Sequence, residues 1–135
     1  MKKLTRALLT AALLCGAVVV IGVAPAVADG AESGGDAIIR TGNCSGSADW
    51  KLKAKARDGG YEVEYEIDSN SRGQAWRYTL RQNGVVISQG TRTTQGPSGS
   101  FSVERRAPNT AGADTFVGTA TNLRTGQSCR GTLTV

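Results

Sequence analysis

The residues that could do chemistry are few, and their spacing suits little of it. The chain has no histidine, which removes Ser-His-Asp and Cys-His nucleophile activation, imidazole acid–base work and histidine-rich metal sites. Glu62, Glu64, Glu66 and Asp68 fall at every second position, opposite a stretch with Lys51, Lys53, Lys55 and Arg57. Paired carboxylates hydrolyse glycosides when one keeps its proton, and neighbouring cations favour the ionised form instead. A Ser-Lys dyad would have to use one of those lysines, and no serine stands opposite them in the favoured register. Asp68-Ser69-Asn70-Ser71-Arg72-Gly73 has the spacing of the first half of a calcium loop. Arg72 takes a ligand position there, and Thr79 stands where the bidentate glutamate belongs. An ordinary loop is the expected reading. No catalytic set, metal or cofactor is expected.

The remaining candidates are the cysteines, and what they do depends on where the chain goes. Met1-Lys2-Lys3-Leu4-Thr5-Arg6 is basic, and an apolar run of 17 residues follows from Ala7 to Val23. Pro25 breaks it before the small-x-small pattern Ala26-Val27-Ala28. This order predicts a signal peptide over residues 1–28 and a secreted protein. The alternative of a membrane anchor needs roughly 20 apolar residues. A lipid-bearing Cys15 is disfavoured by bulky Leu13 and Leu14 before it. Cleavage removes Cys15 and leaves Cys44 and Cys129, an even pair that reads most simply as one disulfide in an oxidising compartment, with two free thiols as the alternative. Cleavage also removes Lys2, Lys3 and Arg6, so the +5 of the whole chain falls to 13 cations against 11 anions. Arg72, Arg77, Arg81, Arg92, Arg105, Arg106, Arg124 and Arg130 are scattered, and some could gather on one sheet. With a net +2 and both tryptophans at core parity, no nucleic-acid partner is expected. No membrane partner is expected after cleavage.

The elements that position these residues are strands. Residues 29–46 begin with the Gly-rich Asp29-Gly30-Ala31-Glu32-Ser33-Gly34-Gly35-Asp36 and read as a flexible tail and lead-in, in which Ala37 to Thr41 could extend as a further strand on short evidence. From residue 47 to 135 the chain alternates with period two. Trp50, Leu52, Ala54, Ala56, Val63, Tyr65 and Ile67 share one face, and the lysines and glutamates share the other. Matching charges across the hairpin favours a Gly59-Gly60 turn with Arg57 opposite Glu62, and an Asp58-Gly59 turn shifted by one pair also matches them. The stripe is expected to be a solvated ladder that fixes register. Asn83-Gly84 marks the next hairpin, and Asn122-Leu123-Arg124-Thr125-Gly126 joins the last. Seven strands with regular turn signals predict an all-β antiparallel sandwich.

The pattern resembles the immunoglobulin-like and fibronectin type III sandwiches. Trp76-Arg77-Tyr78-Thr79-Leu80 before Asn83-Gly84 resembles their third strand, and Asp114-Thr115-Phe116-Val117-Gly118-Thr119-Ala120 their sixth. Phe116 replaces the family's tyrosine and Gly118 its cysteine, so the resemblance carries no inter-sheet bond at that place. The chain also resembles small secreted actinobacterial proteins of unassigned function. The resemblance implies loops clustered at one end as the recognition surface, with Arg72, Leu123 and Arg124 as the contacts. The expected function is a secreted, non-enzymatic interaction module for an unknown protein or cell-surface component. The alternative is a secreted carbohydrate or small-ligand binding domain.

Overall fold

The computed structural model describes residues 36–135; the expected signal peptide and the first part of the expected tail lie outside them. The described residues form eight strands: β1 Ala37–Asn43, β2 Asp49–Arg57, β3 Gly60–Asp68, β4 Ala75–Gln82, β5 Val85–Thr93, β6 Ser100–Pro108, β7 Thr115–Asn122 and β8 Ser128–Thr134. They make two antiparallel sheets, a first in the order β1-β2-β3-β6 and a second in the order β5-β4-β7-β8. The sandwich therefore has eight strands where alternation predicts seven. The extra one is β1, within the segment read as tail and lead-in. It shows little alternation of its own, with only Ile38 and Gly42 half-buried, and it is held by pairing along its whole length with β2.

Alternation elsewhere builds the core. Leu52 and Ala54 of β2, Val63, Tyr65 and Ile67 of β3, and Phe101 and Val103 of β6 face Trp76, Tyr78 and Leu80 of β4, Phe116 of β7 and Leu133 of β8, all buried. Phe101 lies 6.5 Å from the Trp76 ring and 6.4 Å from the Tyr78 ring, centroid to centroid. Gly118 is small because the Tyr65 ring lies on it: a Cβ there would stand 2.7 Å from a ring carbon. Trp50 is half-buried with its ring between Gly42 of β1 and Gly131 of β8, where added Cβ atoms would come within 2.7 Å and 2.5 Å of it. Ala56, expected on the core face, is exposed near the hairpin tip.

The charged hairpin takes the shifted register. Its turn is Asp58-Gly59, with Lys55 opposite Glu62, Lys53 opposite Glu64 and Lys51 opposite Glu66, so the favoured Gly59-Gly60 turn is corrected. A two-residue type I′ turn needs positive φ twice, and Asp58 (52°) with Gly59 (79°) supplies it. Gly60 is instead an in-strand residue packed against the Ala107 carbonyl of β6. Asn83 (49°) and Gly84 (85°) form the expected turn of the same kind. β6 runs to Pro108, whose missing N–H is tolerated on an edge strand.

The outer faces differ. On the first sheet, Lys51 sits 3.7 Å from both Glu64 and Glu66, Lys53 3.7 Å from Glu64, and Arg57 3.3 Å from Glu62. The second sheet has no acidic residue in any of its four strands. Its outward rows read Thr91, Arg77, Thr121, Ser128, then Gln89, Thr79, Thr119, Arg130, then Val86, Arg81, Val117, Thr132.

Cys44 and Cys129 form a disulfide with Cα atoms 4.3 Å apart. It joins the segment after β1, in the first sheet, to β8 in the second. Ser45 N donates to the Ser128 carbonyl at 2.8 Å beside it.

Candidate functional site

Four connections gather at one end of the sandwich: 44–48, 69–74, 94–99 and 123–127. Polar side chains bond backbone within and between them. In the β3–β4 connection, Asn70 N donates to Asp68 Oδ1 at 3.1 Å, and Ser69 Oγ bonds the Gly99 carbonyl at 3.1 Å. Thr94, wholly buried, donates its hydroxyl to the Ser71 carbonyl and accepts from Gln74 N at 2.9 Å. In the β7–β8 connection, Asn122 Oδ1 accepts from Arg124 N at 2.8 Å and Thr125 N at 3.1 Å. Leu123 N donates to the Ala75 carbonyl at 2.9 Å, which ties this loop to the start of β4. Gln127 Oε1 accepts from Ala48 N at 2.8 Å and ties it to the disulfide side.

Between the second and fourth connections lies a cleft of about 610 Å³ lined by residues 71–75 and 122–125. It brings together Arg72, Leu123 and Arg124, the three residues expected to make contacts. Leu123 is 45% exposed. Arg72 crosses the β5–β6 connection so closely that a Cβ on Gly96 would stand 2.6 Å from its Cδ. Neither arginine forms an ion pair among the described residues. The lining contains no carboxylate and no thiol.

The inner side of the cleft holds groups the sequence did not single out. Gln74 Oε1 and Asn122 Nδ2 are buried without a partner among the described residues, although both side chains belong to the lining. Trp76 Nε1, on the residue paired with Asn122, is in the same state. One acceptor and two donors are thus buried without partners among the described residues, while Leu123 stays exposed in the lining. Such a cleft can recognise a polar or anionic group with an apolar neighbour. The signal that could have found Asn122 is an Asn at the end of a strand with a loop of turn residues after it.

The other candidates disperse. Glu62, Glu64 and Glu66 stand outside this cleft, on the outer face of β3. Asp68 Oδ1 accepts from Asn70 N, and Thr79 lies in mid-β4 on the outer face of the second sheet. At the opposite end, Asp114 is wholly buried and collects donors. Thr110 Oγ1, Gln82 Nε2 (2.9 Å) and Asn83 Nδ2 (3.2 Å) reach Oδ1, and Thr110 N (3.1 Å) reaches Oδ2. The Thr110 hydroxyl, ahead of the opposing effect of burial and the remaining donors, holds its carboxyl below the usual range. Burial pushes the Tyr65 phenol well above its ordinary value, and its hydroxyl has no partner among the described residues. No protein-family model, curated protein or solved structure matches the chain.

Proposed function

We propose that the chain is a secreted, non-enzymatic recognition module whose partner, a protein or cell-surface component, docks at the cleft formed by the β3–β4 and β7–β8 connections. The observation that carries this reading is the meeting of Arg72, Leu123 and Arg124 on one cleft whose loops are held by their own hydrogen bonds. Ordering the loops beforehand reduces the entropy lost on binding. Unpaired guanidiniums beside an exposed leucine favour a partner segment carrying a carboxylate next to an apolar side chain.

The strand order supports an immunoglobulin-like reading. β2-β3-β6 against β5-β4-β7-β8 corresponds to an A-B-E sheet facing a C′-C-F-G sheet, with β1 added at the A edge. On that correspondence the cleft lies between the B–C and F–G loops. The signal grammar and the Cys44–Cys129 bond support export. Among the described residues no helix is long and apolar enough to cross a membrane.

The test is affinity capture from culture medium and cell envelope with wild-type protein, Arg72→Ala, Leu123→Ala, Arg124→Ala and Lys53→Ala. A partner retained by wild type and Lys53→Ala but lost from the three cleft variants is expected; equal retention by all removes the cleft from consideration. A second reading, a small-ligand or carbohydrate site, is favoured by the cleft volume, within the roughly 300–1,000 Å³ of small-molecule sites. Calorimetric titration with ligand libraries separates the two.

A further inference from the structure

Among the described residues, the outer face of the second sheet is cationic with no acidic residue in its strands. We infer that it binds an acidic polysaccharide, with Arg77, Arg81 and Arg130 meeting its carboxylates and the threonines between them meeting its sugar hydroxyls. The inference does not rest on the cleft.

Charge is the first ground. The four strands carry no Asp or Glu, and none of these three arginines has an ion-pair partner among the described residues. Arg77 and Arg130 are exposed and Arg81 half-exposed. An unneutralised cationic face attracts an anionic partner and repels a cationic one.

Spacing is the second. Arg77 and Arg81 are four residues apart along β4, or roughly 13 Å at strand rise. Arg130 lies two strands across and two residues along, about 12 Å from each. Charges this sparse suit a polymer whose anions are separated by neutral units. Duplex DNA, with one charge per ~1.7 Å of axis, is far denser.

The ground between the charges is the third. Thr79 and Thr119 sit side by side between Arg77 and Arg81, with Thr121 and Thr132 beyond. Each hydroxyl both donates and accepts, which matches a sugar hydroxyl. No aromatic side chain is on this face, because Trp76, Tyr78 and Phe116 all point into the core. Base stacking, the usual basis of single-strand binding, has no platform here.

For the test, protein produced from the full sequence in an exporting host is titrated with hyaluronate, which carries carboxylates on alternate sugars. Neutral dextran and single-stranded and duplex DNA are run beside it, at low and at physiological salt. Hyaluronate binding that weakens with salt is expected, with dextran unbound. The combined Arg77→Ser, Arg81→Ser and Arg130→Ser variant should bind about tenfold or more weakly, as the loss of charge-assisted hydrogen bonds implies. Thr121→Val with Thr132→Val should weaken binding by a smaller factor at unchanged salt dependence. Arg72→Ala with Arg124→Ala should bind as wild type, which separates this face from the cleft. If the triple variant fails to fold, Arg130→Ser alone, on the edge strand, should still weaken binding about threefold. Absent hyaluronate binding, equal binding of dextran, tighter binding of either DNA, or unchanged affinity in a folded triple variant each overturns the inference.

Discussion

The two ends of the sandwich bury polar side chains where strands run out, and they resolve the problem in opposite ways. At one end Asp114 meets a donor at every turn, and Val135 exchanges backbone hydrogen bonds with it. At the other, Asn122 spends its carbonyl oxygen on the following loop and leaves its amide nitrogen, with Gln74 Oε1 and Trp76 Nε1, without a partner among the described residues. The first end is closed by hydrogen bonds. The second is closed at one side by the Cys44–Cys129 bond and stays open as a cleft on the other. A buried carboxylate met by several donors stabilises a fold, whereas buried polar atoms left without partners cost it stability.

The contrast can be broken at several points. Its covalent side carries the largest effect. Replacing both Cys44 and Cys129 by Ser releases a closure across a separation of 85 residues. The loop-entropy argument gives a loss of about 4–5 kcal/mol, and urea unfolding should show it. A loss under about 1 kcal/mol would mean the unfolded chain is constrained by something else. Next comes Asp114→Ala, which removes the acceptor of the Thr110 hydroxyl and amide, while Gln82 keeps the Pro108 carbonyl and Asn83 the Thr110 hydroxyl. The melting temperature should fall by on the order of 10 °C, since unsatisfied buried donors are among the costliest defects in a small domain.

The same end sets the acid limb of stability. Asp114 is lowered in the folded protein, so its contribution is complete above its unfolded value and is lost as pH falls through the folded one. Unfolding free energy should decline below about pH 4 in wild type. That decline should be shallower in Asp114→Asn, and identical slopes in the two proteins would remove Asp114 as the cause. Asn122→Ala should cost about 1–2 kcal/mol, because two backbone donors of the β7–β8 loop lose their acceptor. The smallest effect belongs to the open side: Leu123→Ala should leave stability within about 0.5 kcal/mol. A larger loss by thermal melting would make Leu123 part of the fold and weaken its role as a contact.

How much of this was legible follows from the range of the interactions. The strands were, because alternation is local: Leu52, Val63, Tyr65, Ile67, Trp76 and Leu80 all fall on the core side where period two places them. So was the Asn83-Gly84 turn, which depends on two adjacent residues. β1 was not, because its pattern is dominated by what β2 and the disulfide do to it. The charged hairpin had two registers with equal charge matching. The choice fell to positive φ at Asp58 and to β6 packing on Gly60, of which only the first is local. Arg72, Leu123 and Arg124 follow from loop position, but the burial of the Trp76 and Asn122 nitrogens depends on those two residues being paired across strands. The Asp114 cluster was hidden for a similar reason, since Gln82 and Asn83 come from a different hairpin.

The placement of the disulfide also decides how the domain would bear load. Tension applied before Cys44 and after Cys129 runs from one sulfur to the other and never reaches the strands between them. Only β1, peeled from β2 pair by pair starting at Ala37, and the last residues of β8 can yield. The added length is then less than about 50 Å at full extension. Pulled by its ends, the oxidised domain behaves as a short tether with a hard stop, while the cleft between the β3–β4 and β7–β8 connections keeps most of its frame inside the covalent loop.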